Sequence, residues 1–200
     1  MDGLDWAAGA MAAARTRLEI AAENLANGSS DGFRKSSARG FLTAEGVQIV
    51  RQRDQAQGPL RRTGRDLDLA IAGPGAFRLR DAHGQVTQTR SGAFARDRFG
   101  RLCDGEGRIL LGARGPLHVP EGATISPSGA IERDGRTVER IPLPAGSSLR
   151  SGFLEGSNVD AIGEMIDVLT AQRSFETAQK VLSAIDRTRQ TATTQVAQLK

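Results

Sequence analysis

Two segments with helical spacing of apolar residues, Leu4 to Leu25 and Ile162 to Ile185, bracket a middle stretch dense in turn residues. A chain built this way must either bring its two ends together or offer them to other molecules. In the first segment Leu4, Ala8, Met11, Leu18, Ala22 and Leu25 fall at steps of four and three, which lays one seam along a helix, interrupted at Arg15. Ala7, Ala10, Ala12, Ala13, Ala14, Ala21 and Ala26 fill the flanks. Alanine favours helix and lets neighbouring helices approach closely. Asn27 and Gly28 signal the end, with a left-handed glycine as the expected closing residue.

The second segment is expected to open at Ser157 to Asp160, with a capping box of Ser157 and Asp160. Behind it Ile162, Met165, Ile166, Leu169, Phe175, Ala178, Leu182 and Ile185 keep helical spacing. No proline follows, and Gly163 is the last glycine before Lys200. At 1.5 Å per residue such a helix reaches ~60 Å, longer than a compact domain of this size is wide, so part of it is expected to project. Its last turns, Thr188 to Gln195, are polar and expected to stay open until a neighbour packs on them.

Between the helices the pattern shortens to strands and tight turns. Leu67, Leu69 and Ile71 alternate with Asp68 and Ala70 before Gly73, Pro74 and Gly75 break the run. Asp81 to Gly84 and Asp97 to Gly100 fit type I turns with aspartate leading and glycine fourth. Ser128 with Gly129, and Asp134 with Gly135, continue an antiparallel rhythm. The expected fold class is α+β: long terminal helices packing as a coiled-coil-like pair, with a central antiparallel all-β domain. Expected boundaries are 1–28 for the first helix, 29–60 for a linker and packing segment, 61–150 for the β domain and 151–200 for the second helix.

Enzymatic and metal chemistry lack their residues. Cys103 is the single cysteine, which excludes an internal disulfide and a cysteine-built metal site, and His83 and His118 are too few and too far apart for zinc. Gly73-Pro74-Gly75 has no third glycine at the dinucleotide spacing, and Pro74 removes an amide that a phosphate would need. Asp66 and Asp68 are expected on a solvated strand face. No catalytic site, cofactor or metal is expected.

A formal charge of +4 and a cluster of arginines, including Arg51, Arg61, Arg65, Arg78, Arg90, Arg96 and Arg101, raise a basic nucleic-acid-binding module as the alternative reading. Against it, stacking on bases needs exposed aromatics, and aromatics are only 4% of the chain, with Phe77, Phe94 and Phe99 expected in a β core. No stretch reaches the ~20 apolar residues of a membrane span. Ala7 to Ala14 is a poor secretory signal core, because Asp2 and Asp5 precede it where lysine or arginine would stand.

Four blocks carry a resemblance. Leu18 to Lys35 (LEIAAENLANGSSDGFRK) resembles the amino-terminal signature of flagellar rod and hook proteins. Leu67 to Phe77 (LDLAIAGPGAF) resembles the start of their β domain, and Thr89 to Gly112 its Thr-Arg, Gly, Phe, Asp, Gly and Leu landmarks. Gly152 to Asp160, with Glu164, Met165, Ala171, Gln172, Arg173, Phe175, Glu176, Lys180 and Asp186, resembles their carboxy-terminal helix. The opening Met1-Asp2 and Gly32-Phe33-Arg34 resemble the proximal more than the distal rod type. Ala76 and Gln88 depart from the family, which commonly has an aromatic at the first position and tyrosine at the second.

The resemblance implies a structural subunit of the bacterial flagellar basal-body rod, part of a tubular drive shaft between motor and hook. It implies self-association in a helical assembly, other rod and hook-basal-body proteins as partners, no nucleic acid and no membrane insertion. Localisation would be the periplasm-spanning rod, reached by flagellar type III export without a cleaved signal peptide. The expected assembly interface comprises Leu4, Met11, Leu18, Asn24, Leu25, Asn27, Ile162, Met165, Ile166, Leu169, Arg173, Phe175, Leu182 and Ile185.

Overall fold

The computed structural model describes residues 3–43 and 46–198 and is an α+β fold: helix α1 (Gly3–Ala26), helix α2 (Ala161–Gln198) and short antiparallel strands between them. The chain divides into two compact units. One holds α1, residues 35–55 and α2; the other holds residues 29–34 and 56–158.

In the helical unit α1 and α2 run side by side in opposite directions. Asn24 near the end of α1 hydrogen-bonds Glu164 near the start of α2, while a Cβ placed at Gly3 would lie 3.8 Å from Ile185 Cδ1. The inward face of α2 follows steps of four and three through Glu164, Val168, Ala171, Phe175, Ala178, Leu182 and Ile185, all buried or half-buried. On α1 Ala7, Ala14 and Ala21 are buried, seven apart, with half-buried Met11, Leu18 and Leu25 between them, and Ala13 and Ile20 are buried beside them. The seam therefore keeps Met11, Leu18 and Leu25 but exposes Ala8 and Ala22. Arg15 explains the rotation: burying its guanidinium unpaired would be costly, and it instead lies in solvent against Glu19 at 2.9 Å.

Both helix ends differ in detail from the expected signals. Gly28 does not adopt a positive φ; the Asn27 amide and side chain both donate to the Glu23 carbonyl, at 3.1 and 2.9 Å, and close α1. At α2 the cap is Asp160, whose Oδ1 accepts from the Ile162 amide at 3.2 Å, while Ser157 stands outside the helix. The absent side chain at Gly163 makes room, since a Cβ there would sit 2.9 Å from Asp160 Oδ2. The terminal turns expected to open are helical to Gln198, with Thr188 and Thr191 hydroxyls donating to carbonyls one turn back.

The segment expected as a linker contains a regular hairpin, β1 (Ser36–Thr43) and β2 (Gly46–Arg53), paired from Ser36↔Arg53 to Thr43↔Gly46. Ala38, Val47 and Ile49 are half-buried on the face shared with Arg51, whose guanidinium pairs with Glu23 of α1. The opposite face carries Arg39, Gln48 and Gln52, so the run reads as polar although one side is covered.

In the β unit, β3 (Leu60–Arg62) pairs with β14 (Phe153–Glu155) and β4 (Leu69–Ala72) with β13 (Ser148–Ser151). Strands β5 (Phe77–Arg80), β6 (Val86–Thr89), β7 (Ala95–Arg96), β8 (Leu102–Cys103) and β9 (Ile109–Leu110) form one sheet in the order β6-β5-β9-β8-β7. A second sheet orders β10 (Thr124–Ile125), β11 (Ala130–Arg133) and β12 (Arg136–Arg140) consecutively. Asp134 (φ 52°) and Gly135 (φ 74°) make the two-residue turn between β11 and β12. The core gathers Leu69, Ile71, Leu79, Leu102, Leu110, Leu117, Ile131 and Leu149 around Phe77 and Phe94, whose rings meet edge to face at 5.2 Å.

One motif recurs. Asp81, Asp97 and Asp104 each accept two amide hydrogen bonds on Oδ1, from residues two and four positions on, and each turn closes with a glycine amide on the aspartate carbonyl. Two sequence expectations fail here. Asp68 is buried, because residues 65–68 form a turn (Asp68 amide to Arg65 carbonyl, 3.0 Å), it bridges Ala93, and the strand that follows is buried on both faces. Phe99 is 60% exposed at a turn tip, flanked by the Arg98 and Arg101 guanidinium groups at 4.8 and 4.9 Å.

Candidate functional site

The helical unit carries the residues expected to serve assembly, and they divide by role. Asn24 lies inward, 1% exposed, and joins three elements. Its Nδ2 donates to the Ser36 carbonyl (2.7 Å) and to Glu164 Oε2 (3.0 Å), and its Oδ1 accepts from the Ser36 amide (2.9 Å). The end of α1, the start of the hairpin and the first turn of α2 are thereby fixed to one another. Asn27 closes α1. Met11, Leu18, Leu25, Phe175, Leu182 and Ile185 are half-buried between the elements of this unit, and the Leu4 side chain lies outside the described residues.

A different set faces water. Ile162 is 72% exposed, and Met165, Ile166 and Leu169 are each more than half exposed. Their spacing of three, four and seven puts them on one side of α2, away from Glu164 and Ala171. Further along α2, between it and α1, Arg173 borders an apolar groove of about 520 Å³ lined by Ala7 and Ala10 of α1 and by Thr170, Ser174, Thr177, Ala178 and Val181 of α2.

The β unit has its own buried polar centre, which sequence reasoning placed among surface charges. Arg90 is 5% exposed and donates to Glu155 Oε2 (2.7 Å) and to the carbonyls of Ile71 (3.0 Å), Gly73 (3.0 Å) and Gly75 (2.8 Å). Gln57 adds bonds to the Ile71 carbonyl (2.6 Å) and from the Gly73 amide (3.1 Å), and the Gly32 amide donates to the Glu155 carbonyl (2.6 Å). The Gly-Pro-Gly loop thus presents carbonyls to an internal guanidinium. Segments 32–34, 56–58 and 155–158, the places where chain enters and leaves this unit, are tied together around Glu155.

Most of the basic cluster is spoken for. Arg61 pairs with Asp31, Arg65 with Asp68, Arg101 with Asp97 and Arg108 with Asp104. At Asp97 burial pushes the carboxyl up, but the Arg101 amide and guanidinium and the Phe99 amide outweigh it and hold the group below its ordinary range. His83 stands exposed on a turn and His118 exposed in a β-bridge to Arg101. No helix among the described residues is long and apolar enough to cross a membrane.

Residues 4–34 match the model described as flagella basal body rod protein, 70–138 the flagellar hook protein FlgE/F/G D1 domain, and 150–195 the flagellar basal body rod FlgEFG protein C-terminal. The flagellar basal-body rod protein FlgF of Caulobacter vibrioides is 30% identical over 84% of this chain and 86% of its own length. FlgF of Escherichia coli is 29% identical, covering 90% and 92%. The rod protein FlgG of Agrobacterium fabrum is 28% identical, covering 93% and 96%.

Proposed function

Because this chain belongs to the flagellar basal-body rod proteins, structural subunits of the flagellum and not enzymes, we propose that it polymerises through α1 and α2 into the tubular shaft joining motor to hook. The observation that carries this reading is the run Ile162, Met165, Ile166 and Leu169, large aliphatic side chains left in water on one side of α2. Covering them with another subunit removes apolar surface from water at about 25 cal/mol per Å². Repetition of one heterologous contact extends a helical polymer without closing it.

In this reading α1 and α2 pair in the manner of a coiled coil and form the inner wall, and the β unit forms an outer layer. Torque passes through packed helices, for which the Asn24 junction supplies stiffness. Partners are other rod and hook-basal-body proteins, the rod spans the periplasm, and the subunit is a type III export substrate without a cleaved signal. The resemblance of Met1-Asp2 and Gly32-Phe33-Arg34, with FlgF among the relatives, favours the proximal rod.

Truncation after Arg187 tests the role of the terminal helices. Loss of swimming in soft agar and of complete rods in purified basal bodies is expected; intact rods and normal swimming would count against the proposal.

A further inference from the structure

The helical unit holds a second cavity, a cleft of about 410 Å³ lined by α1, by the start of β1 and by α2. Glu164 and Asp167 of α2 face it one helical turn apart. Glu164 is only 7% exposed, and its Oε2 accepts from Asn24 Nδ2 while its Oε1 accepts no hydrogen bond among the described residues. Neither carboxylate has an ion-pair partner among them either. The basic residues of the lining are Arg17 and Lys35, and Arg17 reaches away to β1, where its Nη2 would lie 3.6 Å from a Cβ at Gly40. A carboxylate withdrawn from water calls for a paired cation, and one neutral amide offsets little of the cost.

We infer that this cleft receives an arginine side chain of a neighbouring rod subunit, whose guanidinium pairs with Glu164 and Asp167. This rests on the assembly reading above and names one of its contacts. Ile20, Ala21, Ala38 and Ala171 give the lining apolar stretches that suit the methylene stem of arginine, while two carboxylates a turn apart suit its planar fork of donors. Size agrees as well. A volume of about 410 Å³ admits a whole side chain, where a single water takes ~30 Å³. A divalent metal would want more oxygen ligands than these two carboxylates, and no group of three acidic, histidine or cysteine residues able to hold one occurs among the described residues. Asn24 already ties Glu164 to the Ser36 backbone, so the incoming guanidinium joins the point where α1, β1 and α2 are fixed together.

Charge reversal followed by suppressor selection tests the site in cells. Asp167 is exposed, so Asp167→Arg is expected to keep the melting temperature of the purified full-length chain while swimming in soft agar is lost, because the new guanidinium repels the incoming one. Glu164→Gln keeps an acceptor for Asn24 and removes only the charge; it should shrink the swimming ring without lowering the melting temperature. Motile revertants of Asp167→Arg are then selected and their flagellar genes sequenced. The inference expects second-site changes that turn an arginine of a rod protein into glutamate or aspartate. Failure to recover such a suppressor overturns the site, and so does a swimming defect traced to a lowered melting temperature. Normal swimming by both variants, with the chain present in purified basal bodies, also overturns it and leaves the rod function standing, whereas a wild-type chain absent from basal bodies removes both.

Discussion

Asn24 and Glu164 are 140 positions apart in sequence, yet the Asn24 side-chain amide donates to the Glu164 carboxylate at 3.0 Å with both residues almost out of water. The same asparagine satisfies both backbone groups of Ser36. One side chain therefore stands in for a strand partner and a helix-to-helix link at once. Its amide offers donor and acceptor on neighbouring atoms, which neither aspartate nor leucine of similar size provides.

Asn24→Ala is expected to destabilise the helical unit by about 2–3 kcal/mol, since it leaves the Ser36 amide and carbonyl and a buried carboxylate without partners. Asn24→Asp should cost more, because it discards the donor and sets a second carboxylate beside Glu164. Urea denaturation followed by circular dichroism at 222 nm, a helix-weighted signal, measures both.

The Arg90 to Glu155 pair makes a second, independent prediction in the β unit. Removing either partner alone strands a buried charge and should cost roughly 3–5 kcal/mol. The double variant Arg90→Met with Glu155→Leu should cost clearly less than the two single losses added together. A double-mutant cycle reads the coupling, and additive losses would contradict a direct pair.

Glycine substitutions separate close packing from backbone conformation. A Cβ at Gly92 would fall 1.6 Å from the Leu69 carbonyl oxygen, so Gly92→Ala must displace β4 and should abolish a stable β unit. Gly84 has φ +84° with nothing within 4 Å of a Cβ, so Gly84→Ala pays only for the left-handed backbone, about 1–2 kcal/mol. Thermal melts of the two variants compare them directly.

Asp97 gives the pH dependence a sign. Its folded-state pKa lies below the ordinary value, so the ionised carboxylate contributes stability that is present above about pH 4 and is lost as pH falls through the folded value. Asp97→Asn should flatten that acid limb of the stability curve and leave neutral-pH swimming unchanged. Melting temperatures measured from pH 6 down to pH 3 test it.

The long elements were legible from spacing because a helix of this length repeats its pattern many times over. Aspartate-led turns were legible because aspartate and glycine hold fixed positions in them. The hairpin at 36–53 was not, since only one of its faces is covered and Arg39, Gln48, Arg51 and Gln52 mask the alternation. Arg90 was misjudged as surface charge for a related reason: its partners Glu155, Gly73 and Gly75 come together only through tertiary folding. The ridge at Ile162 to Leu169 was visible as spacing, but Val168, Ala171, Phe175 and Ala178 share that spacing on the opposite side of α2, and these are the side chains that are buried or half-buried.

In the proposed assembly α1 and α2 build the shaft and the β unit surrounds it. A cryo-electron-microscopy map of purified basal bodies containing this chain addresses it most directly. Paired helical density for α1 and α2 around the axial channel, with the β unit at larger radius, is the expected result; β-sheet density lining the channel, or complete rods lacking the chain altogether, would overturn it.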